Sequence, residues 1–295
     1  MYAILLSKGV LLTSIDDNCY SDAGEGYPDA SYTPDVSPEP HYVTMSEAVI
    51  STDRPIVFQI CEWGIDFPSA WAPALGNTWR IANDIIPAYR TIPRILNQAV
   101  PQTSYAAPGQ WLDLDMLEVG NQVFTVPEEQ THFSLWAILK SPLVIGAALK
   151  DTHTSIPAAS LAILLNEDVI GFNQDSLGVA ASRLNFESST DQSLTFVGFR
   201  RRWTAEGYEV WAGPLSGGRL VVALINLNDQ ASQLTLDLPD VGVQKAAIVK
   251  DVWDDITTTN VLTSYTASVE AHGTILVELS GTTTAGQYTD VSTTA

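Results

Sequence analysis

Three short strings hold the residues best suited to chemistry: Asp17-Asn18-Cys19, Cys61-Glu62-Trp63-Gly64 and Trp79-Arg80-Ile81-Ala82-Asn83-Asp84. They bring together two carboxylates, Asp17 and Asp84, and the only two cysteines of the chain. Paired carboxylates carry out glycoside hydrolysis, one as nucleophile or base and the other as acid. Cys19 and Cys61 have two readings. As buried thiols they are small apolar fillers. As one disulfide they would close a long loop and contribute about 4 kcal/mol by chain entropy. The four histidines, His41, His132, His153 and His272, are scattered without ligand spacing and receive no role. No phosphate loop or dinucleotide fingerprint appears, so no nucleotide cofactor is implied.

The elements that must position these groups follow from patterning. Residues 1 to about 175 alternate strand and helix signals. Strands are expected over Gly9–Asp16, Ile56–Ile60, Gln110–Leu114 and Leu143–Ile145, several of them ending at the carboxylate strings. Helices are expected to open at the capping boxes Thr44-Met45-Ser46-Glu47 and Thr125-Val126-Pro127-Glu128. Others are expected over Asp84–Gln98, disturbed by Pro87 and Pro93, and over Leu161–Leu165. Phe133, Trp136 and Ala137 share one helix face. Lys140, on an apolar stretch, is expected to snorkel. Such alternation implies a parallel sheet with crossover helices, and chemistry at strand ends fits the active face of a β/α barrel. From Gly178 onward, short alternating runs with turn signals such as Gly217-Gly218 imply an antiparallel β-sandwich. Arg200-Arg201-Arg202 belongs to an expected hairpin. The expected organisation is a barrel domain over 1–176, a sandwich over 177–281 and a disordered tail over 282–295.

Composition narrows the partners. The net charge of −20 opposes binding to nucleic acid or to an anionic membrane surface. The most apolar stretch, Leu135–Leu149, is interrupted by Lys140, Ser141 and Pro142, so no spanning helix is expected. Met1–Leu12 is apolar but lacks a basic start and a small-residue cleavage site, so it is not read as a signal peptide.

Taken with Trp111-Leu112-Asp113-Leu114-Asp115-Met116-Leu117, Gly120-Asn121, Ser141-Pro142-Leu143 and Asn173-Gln174-Asp175-Ser176-Leu177-Gly178, the three strings resemble the fungal type of α-galactosidase, or melibiase, of glycoside hydrolase family 27, in the family's order. The resemblance implies a (β/α)8 TIM barrel, here incomplete (about strands 4 to 8), followed by the sandwich. It implies a retaining glycoside hydrolase without metal or cofactor that removes terminal α-galactose from oligosaccharides and galactomannan outside the cell. Asp17 matches the nucleophile and Asp84 the acid/base. Cys19, Glu62, Trp63, Arg80 and Met116 match residues around the sugar, with Glu62 at the 2-hydroxyl. Cys19 and Cys61 match the family's disulfide. The chain also departs from the pattern. Ile15 and Asp16 stand where the family has a Lys and an aromatic, so Asp16 is a rival to Asp17. About three strand–helix units that supply the 4- and 6-hydroxyl contacts have no counterpart ahead of Asp17. The alternative expectation is therefore a truncated, inactive remnant or a sugar-binding protein.

Overall fold

Strand after strand in the first half ends where a carboxylate or its partner begins, and the strands align in chain order. A computed structural model describes residues 11–16, 36–148, 156–187, 195–197, 200–202, 207–259 and 263–284. Strands β1 (Leu11–Asp16), β2 (Ile56–Cys61), β3 (Thr78–Arg80) and β4 (Trp111–Asp113) form one parallel sheet in that order. Leu117, beyond β4, forms a single parallel bridge to Ile145. Side chains alternate across the sheet. Ile60, Trp79 and Leu112 are in register and fully buried in the core. On the other face Gln59, Thr78 and Trp111 form one register row, and Arg80 pairs with Asp113. That second face is the inside of the barrel wall.

Helices cover the outer face. Helix α1 spans Glu39–Ser51, α2 Thr91–Ala99, α3 Val126–Ile138, α4 Ala158–Leu164 and α5 Glu167–Gln174. In α2, Ile92, Ile95, Leu96 and Ala99 recur at helical spacing and are all buried. Helix α3 starts at the expected capping box: Thr125 Oγ1 accepts from Glu128 N, and Glu128 Oε2 accepts from Thr125 N at 2.7 Å. Phe133, Trp136 and Ala137 are buried, as are their neighbours, because α3 lies between the sheet and the second domain.

Several local expectations give way to tertiary structure. Helix α1 begins at Glu39, a turn before the Thr44 box. Pro40 fits the first turn, where no N–H is required, and Thr44 Oγ1 donates back to Pro40 O. The helix expected from Asp84 begins only at Thr91. Pro87 disfavours helical backbone at Ile86, so Asp84 lies in a loop. Leu143–Ile145 contributes one bridge rather than a strand. Lys140 does not snorkel: it is 4% exposed, has φ +61°, and its Nζ donates to Phe172 O.

The second half is antiparallel. A six-stranded sheet runs β13 (Ile256–Thr259), β12 (Ile248–Asp251), β15 (Thr274–Ser280), β9 (Arg219–Asn226), β8 (Tyr208–Leu215), β5 (Ser182–Glu187). Strands β10 (Ser232–Asp237) and β14 (Ser264–Val269) pair in a second layer. Strands β6 (Thr195–Val197) and β7 (Arg200–Arg202) form the hairpin expected around the three arginines. Strand β11 (Val243–Lys245) pairs with β16 (Thr283–Thr284), so these two threonines of the expected tail are in a sheet. Residues 285–295 lie outside the described set. The sheet is buried on both faces. Trp211, Val221, Ala223, Ile225 and Leu276 join the barrel core, while Val210, Ala212, Val222, Leu224 and Val277 pack with Leu234 and Leu236. Each fully buried Val, Leu or Ile among them contributes about 1.5–3 kcal/mol. Polar bonds also cross the seam: Thr131 Oγ1 donates to His272 O at 2.7 Å, and Trp253 Nε1 donates to Ser134 Oγ at 2.9 Å.

Candidate active site

The C-terminal ends of β2, β3 and β4 deliver Cys61-Glu62, Arg80 and Asp113-Leu114-Asp115 to one edge of the sheet. Arg80 is the hub. Its guanidinium is 2.6 Å from Asp115 Oδ2 and 3.1 Å from Asp84 Oδ1, and it donates to Ala82 O at 3.2 Å. Burial disfavours this cation, but the surrounding carboxylates, led by Asp115, outweigh burial and push its pKa up. Arg80 and Asp84 are four positions apart, a spacing that would place them on one face of a helix, but they do not lie on one. The strand ends at Arg80, the chain curls back, and Arg94 of α2 holds the curl by donating to Asn83 O and Asp84 O.

Asp115 has φ +85°, a conformation that costs a non-glycine residue about 1–3 kcal/mol. Several bonds hold it there. Its N–H donates to Asp113 Oδ1 at 2.8 Å, and its C=O accepts from Trp136 Nε1 at 2.7 Å. Oδ1 accepts from Met116 N, and Oδ2 from Ile85 N, the residue after Asp84. Burial raises the Asp115 pKa against the opposing pull of Arg80 and these two N–H groups. Asp113 is also tied down, accepting from Gln59 Nε2 through its second oxygen. Its contacts are those of a structural residue.

Glu62 is fully buried just past β2. Oε1 accepts from Gly64 N at 3.2 Å, while Oε2 has no partner among the described residues. Burial drives its pKa well above the usual carboxylate range, against the N–H groups of Gly64 and Ile65. Trp63 and Gly64 both have positive φ, which turns the loop sharply back onto β3. Met116 is exposed at the rim, and the Asp84 carboxylate is 62% exposed.

The structure thus brings Glu62, Trp63, Arg80, Asp84, Asp115 and Met116 to the same end of the sheet. Asp17 and Cys19 lie outside the described residues, and the Asp16 side chain is likewise not described. The strand that precedes Asp17 is present: β1 ends at Asp16, in register with Cys61. Chemically, the cluster presents one open carboxylate beside a guanidinium and one buried carboxyl with a free oxygen. Among the described residues no group of three His, Cys, Asp or Glu is arranged to hold a metal. Sequence reading missed the roles of Gln59, Arg94 and Trp136. For Gln59 a signal existed, because strand alternation sets it on the same face as Cys61.

A cavity of about 360 Å³ lies at the opposite, N-terminal end of the strands, lined by Val57, Thr78, Trp111, Lys140, Leu143 and Asp175 among others. That end of a β/α barrel serves stability rather than catalysis.

Comparison with known proteins agrees with this architecture. The family profile described as "Alpha galactosidase A" matches residues 13–175, and "Alpha galactosidase C-terminal beta sandwich domain" matches residues 205–279. The chain is 64% identical over 272 residues to a probable alpha-galactosidase D of Aspergillus oryzae, covering 92% of this chain and 39% of that protein. It is 62% identical to the probable alpha-galactosidase D of Aspergillus niger over the same shares. The chain therefore spans about two fifths of the length of these relatives. Among solved structures, alpha-galactosidase I from Mortierella vinacea superposes with a TM-score of 0.75 at 26% identity, covering 95% of this chain and 71% of that one. A putative alpha-galactosidase/melibiase from Bacteroides fragilis gives 0.74 at 29% identity, covering 94% and 56%.

Proposed function

This chain belongs to the alpha galactosidase A family, and from that premise we propose that it carries the machinery of a retaining α-galactosidase acting on terminal α-linked galactose of oligosaccharides and galactomannan. The observation that carries the reading is the Arg80 hub. It holds Asp84 beside a cation while leaving its carboxylate open to solvent, as an acid/base that must meet a leaving oxygen and then a water requires. In this reading Asp17, which directly follows β1, attacks the anomeric carbon and expels the leaving group. Asp84 gives that oxygen its proton. It then takes a proton from water as the glycosyl–Asp17 bond is hydrolysed. The family's pattern assigns Glu62 to the sugar's 2-hydroxyl, Trp63 to a pocket wall and Met116 to the pocket lining. A Cys19–Cys61 disulfide joining the β1 and β2 ends completes the proposal, and mass measurement with and without reductant tests it.

The reading includes an extracellular setting. No described helix is long and apolar enough to cross a membrane. In this reading the barrel domain spans residues 1–176. The sandwich runs from 177 to at least 284, since Thr283–Thr284 pair with β11.

The test is release of p-nitrophenol from its α-galactoside by the purified chain. Asp17→Asn and Asp84→Asn are each expected to lower the rate by at least about 100-fold. No release between acidic and neutral pH would sink the proposal. Galactose binding by calorimetry without hydrolysis would replace it with a sugar-binding role.

A further inference from the structure

His272 sits in the turn between β14 and β15 with φ +60°. Its ring stacks on Tyr89, from the loop ahead of α2, with centroids 3.9 Å apart and planes 10° from parallel. Nδ1 is 2.7 Å from Glu128 Oε1 in the first turn of α3, and Nε2 is 2.9 Å from Asp229 Oδ1 in the turn after β9. Tyr89 and Glu128 belong to the barrel, Asp229 and His272 to the sandwich. Ionised carboxylate oxygens only accept hydrogen bonds, and a neutral imidazole has one N–H to give. Both contacts are satisfied together only by the imidazolium. The face of Tyr89 favours the same cation. The backbone that carries the ring is anchored to the barrel, because Thr131 Oγ1, one turn along α3, lies 2.7 Å from both His272 O and Thr274 Oγ1.

We propose that His272 is a pH-sensitive latch between the two domains: as imidazolium it ties Glu128 of the barrel to Asp229 of the sandwich, and losing its proton breaks one of the two ties and loosens the seam. The titratable groups facing it are Glu128 from α3, Asp229 from the β9–β10 turn and Tyr89 from the α2 loop. Glu270 lies on its own turn. Among the described residues the ion pairs of the ring are to Glu128 and Asp229.

The electrostatics agree with the geometry. Burial lowers the His272 pKa, but the bonds to Glu128 and Asp229 outweigh burial and raise it above 6.5. A raised pKa in the folded state means stabilisation that is complete below 6.5 and lost as pH rises through the raised value. Burial raises the Glu128 pKa, but its bonds to His272 and Thr125 outweigh burial and lower it below 4.5. That contribution is present above 4.5 and lost as pH falls through the lowered value. The latch is closed between these limits.

The experiment uses the full chain and no turnover, so it stands or falls separately from the galactosidase reading. Imidazole signals of isotope-labelled protein are followed by NMR from pH 5 to 9, with His272→Gln identifying the resonance. The expected result is a His272 midpoint above that of a model peptide, about 6.5, with both nitrogens protonated at pH 6. In parallel, the wild-type thermal midpoint should exceed that of His272→Gln by about 2–4 °C at pH 6, with the gap closing toward pH 9. A midpoint at or below the peptide value, or a gap that does not change with pH, overturns the latch. If His272→Gln does not fold, Asp229→Asn carries the test, since that side chain is 91% exposed and takes no part in the α3 cap. It should lower the His272 midpoint, and an unmoved midpoint would overturn the latch equally.

Discussion

Arg80 and Asp115 form a buried ion pair, 2.6 Å between Nη2 and Oδ2, with both side chains less than a tenth exposed. The pair joins the end of β3 to the loop after β4. The same Asp115 oxygen accepts from Ile85 N, so one carboxylate fixes both the cation beside Asp84 and the backbone that follows it.

Asp115→Asn separates charge from shape. Asparagine tolerates positive φ, so the strained backbone is retained. Among the described carboxylates Arg80 would keep Asp113 nearby and the exposed Asp84 as its ion pair. Removing one member of a buried pair costs about 3–5 kcal/mol because the other charge stays buried. Urea denaturation should show a loss of that order. A loss below about 1 kcal/mol would show that the remaining carboxylates, Asp113 and Asp84 among them, suffice to compensate Arg80.

Gly64 is the point where the Glu62 loop touches β3. A Cβ there would lie 2.1 Å from Ile81 O, and φ is +81°, so neither the space nor the backbone admits a side chain. Gly64→Ala should destabilise the chain by about 3 kcal/mol or more. Thermal unfolding measures it, and a variant within about 1 kcal/mol of wild type would mean that the loop relaxes freely away from Ile81.

What could be read in the sequence was whatever depends on neighbours in the chain. The Thr125 box and the glycine turn at Gly217-Gly218 are local patterns, and each appears as expected, whereas β8, β9 and α3 are buried on more than one face because other layers cover them. The failures are equally physical. Thr44 has the composition of a cap, but Pro38 and Pro40 start the helix earlier. Arg80 and Asp84 have helical spacing, yet the strand register of β3 with β4 prevails. The apolar neighbours of Lys140 in sequence suggest a snorkelling side chain, whereas its partner, Phe172 O, is 32 residues away. His272 has no ligand residues near it in sequence. Its two carboxylates lie 144 and 43 positions off and meet it only when the domains pack.

Thr125→Ala tests the cap of α3. The substitution removes the hydroxyl that accepts from Glu128 N, while the bond from Thr125 N to Glu128 Oε2 can persist. Loss of an N-cap hydroxyl costs about 1 kcal/mol. Chemical denaturation should show that loss. An unchanged midpoint would mean that Pro127 and the burial of α3 hold the helix start without the cap.

Glu62→Gln should stabilise the folded chain, and only above acidic pH. Burial raises the Glu62 pKa well above 4.5, so the folded state binds this proton more tightly than the unfolded state does. Below pH 4.5 both states carry the proton and the residue has no pH-dependent effect. As pH rises from 4.5 toward the folded value, the unfolded chain ionises first and wild-type stability falls. Glutamine keeps the shape and the acceptor for Gly64 N–H without an ionisable group. The variant should match wild type near pH 4 and exceed it by on the order of 1 kcal/mol or more near pH 8, one pKa unit being worth about 1.4 kcal/mol. Thermal midpoints across that range measure the divergence. Parallel curves for the two proteins would mean that Glu62 ionises as easily when folded as when unfolded, and that its buried oxygen has a partner in solution.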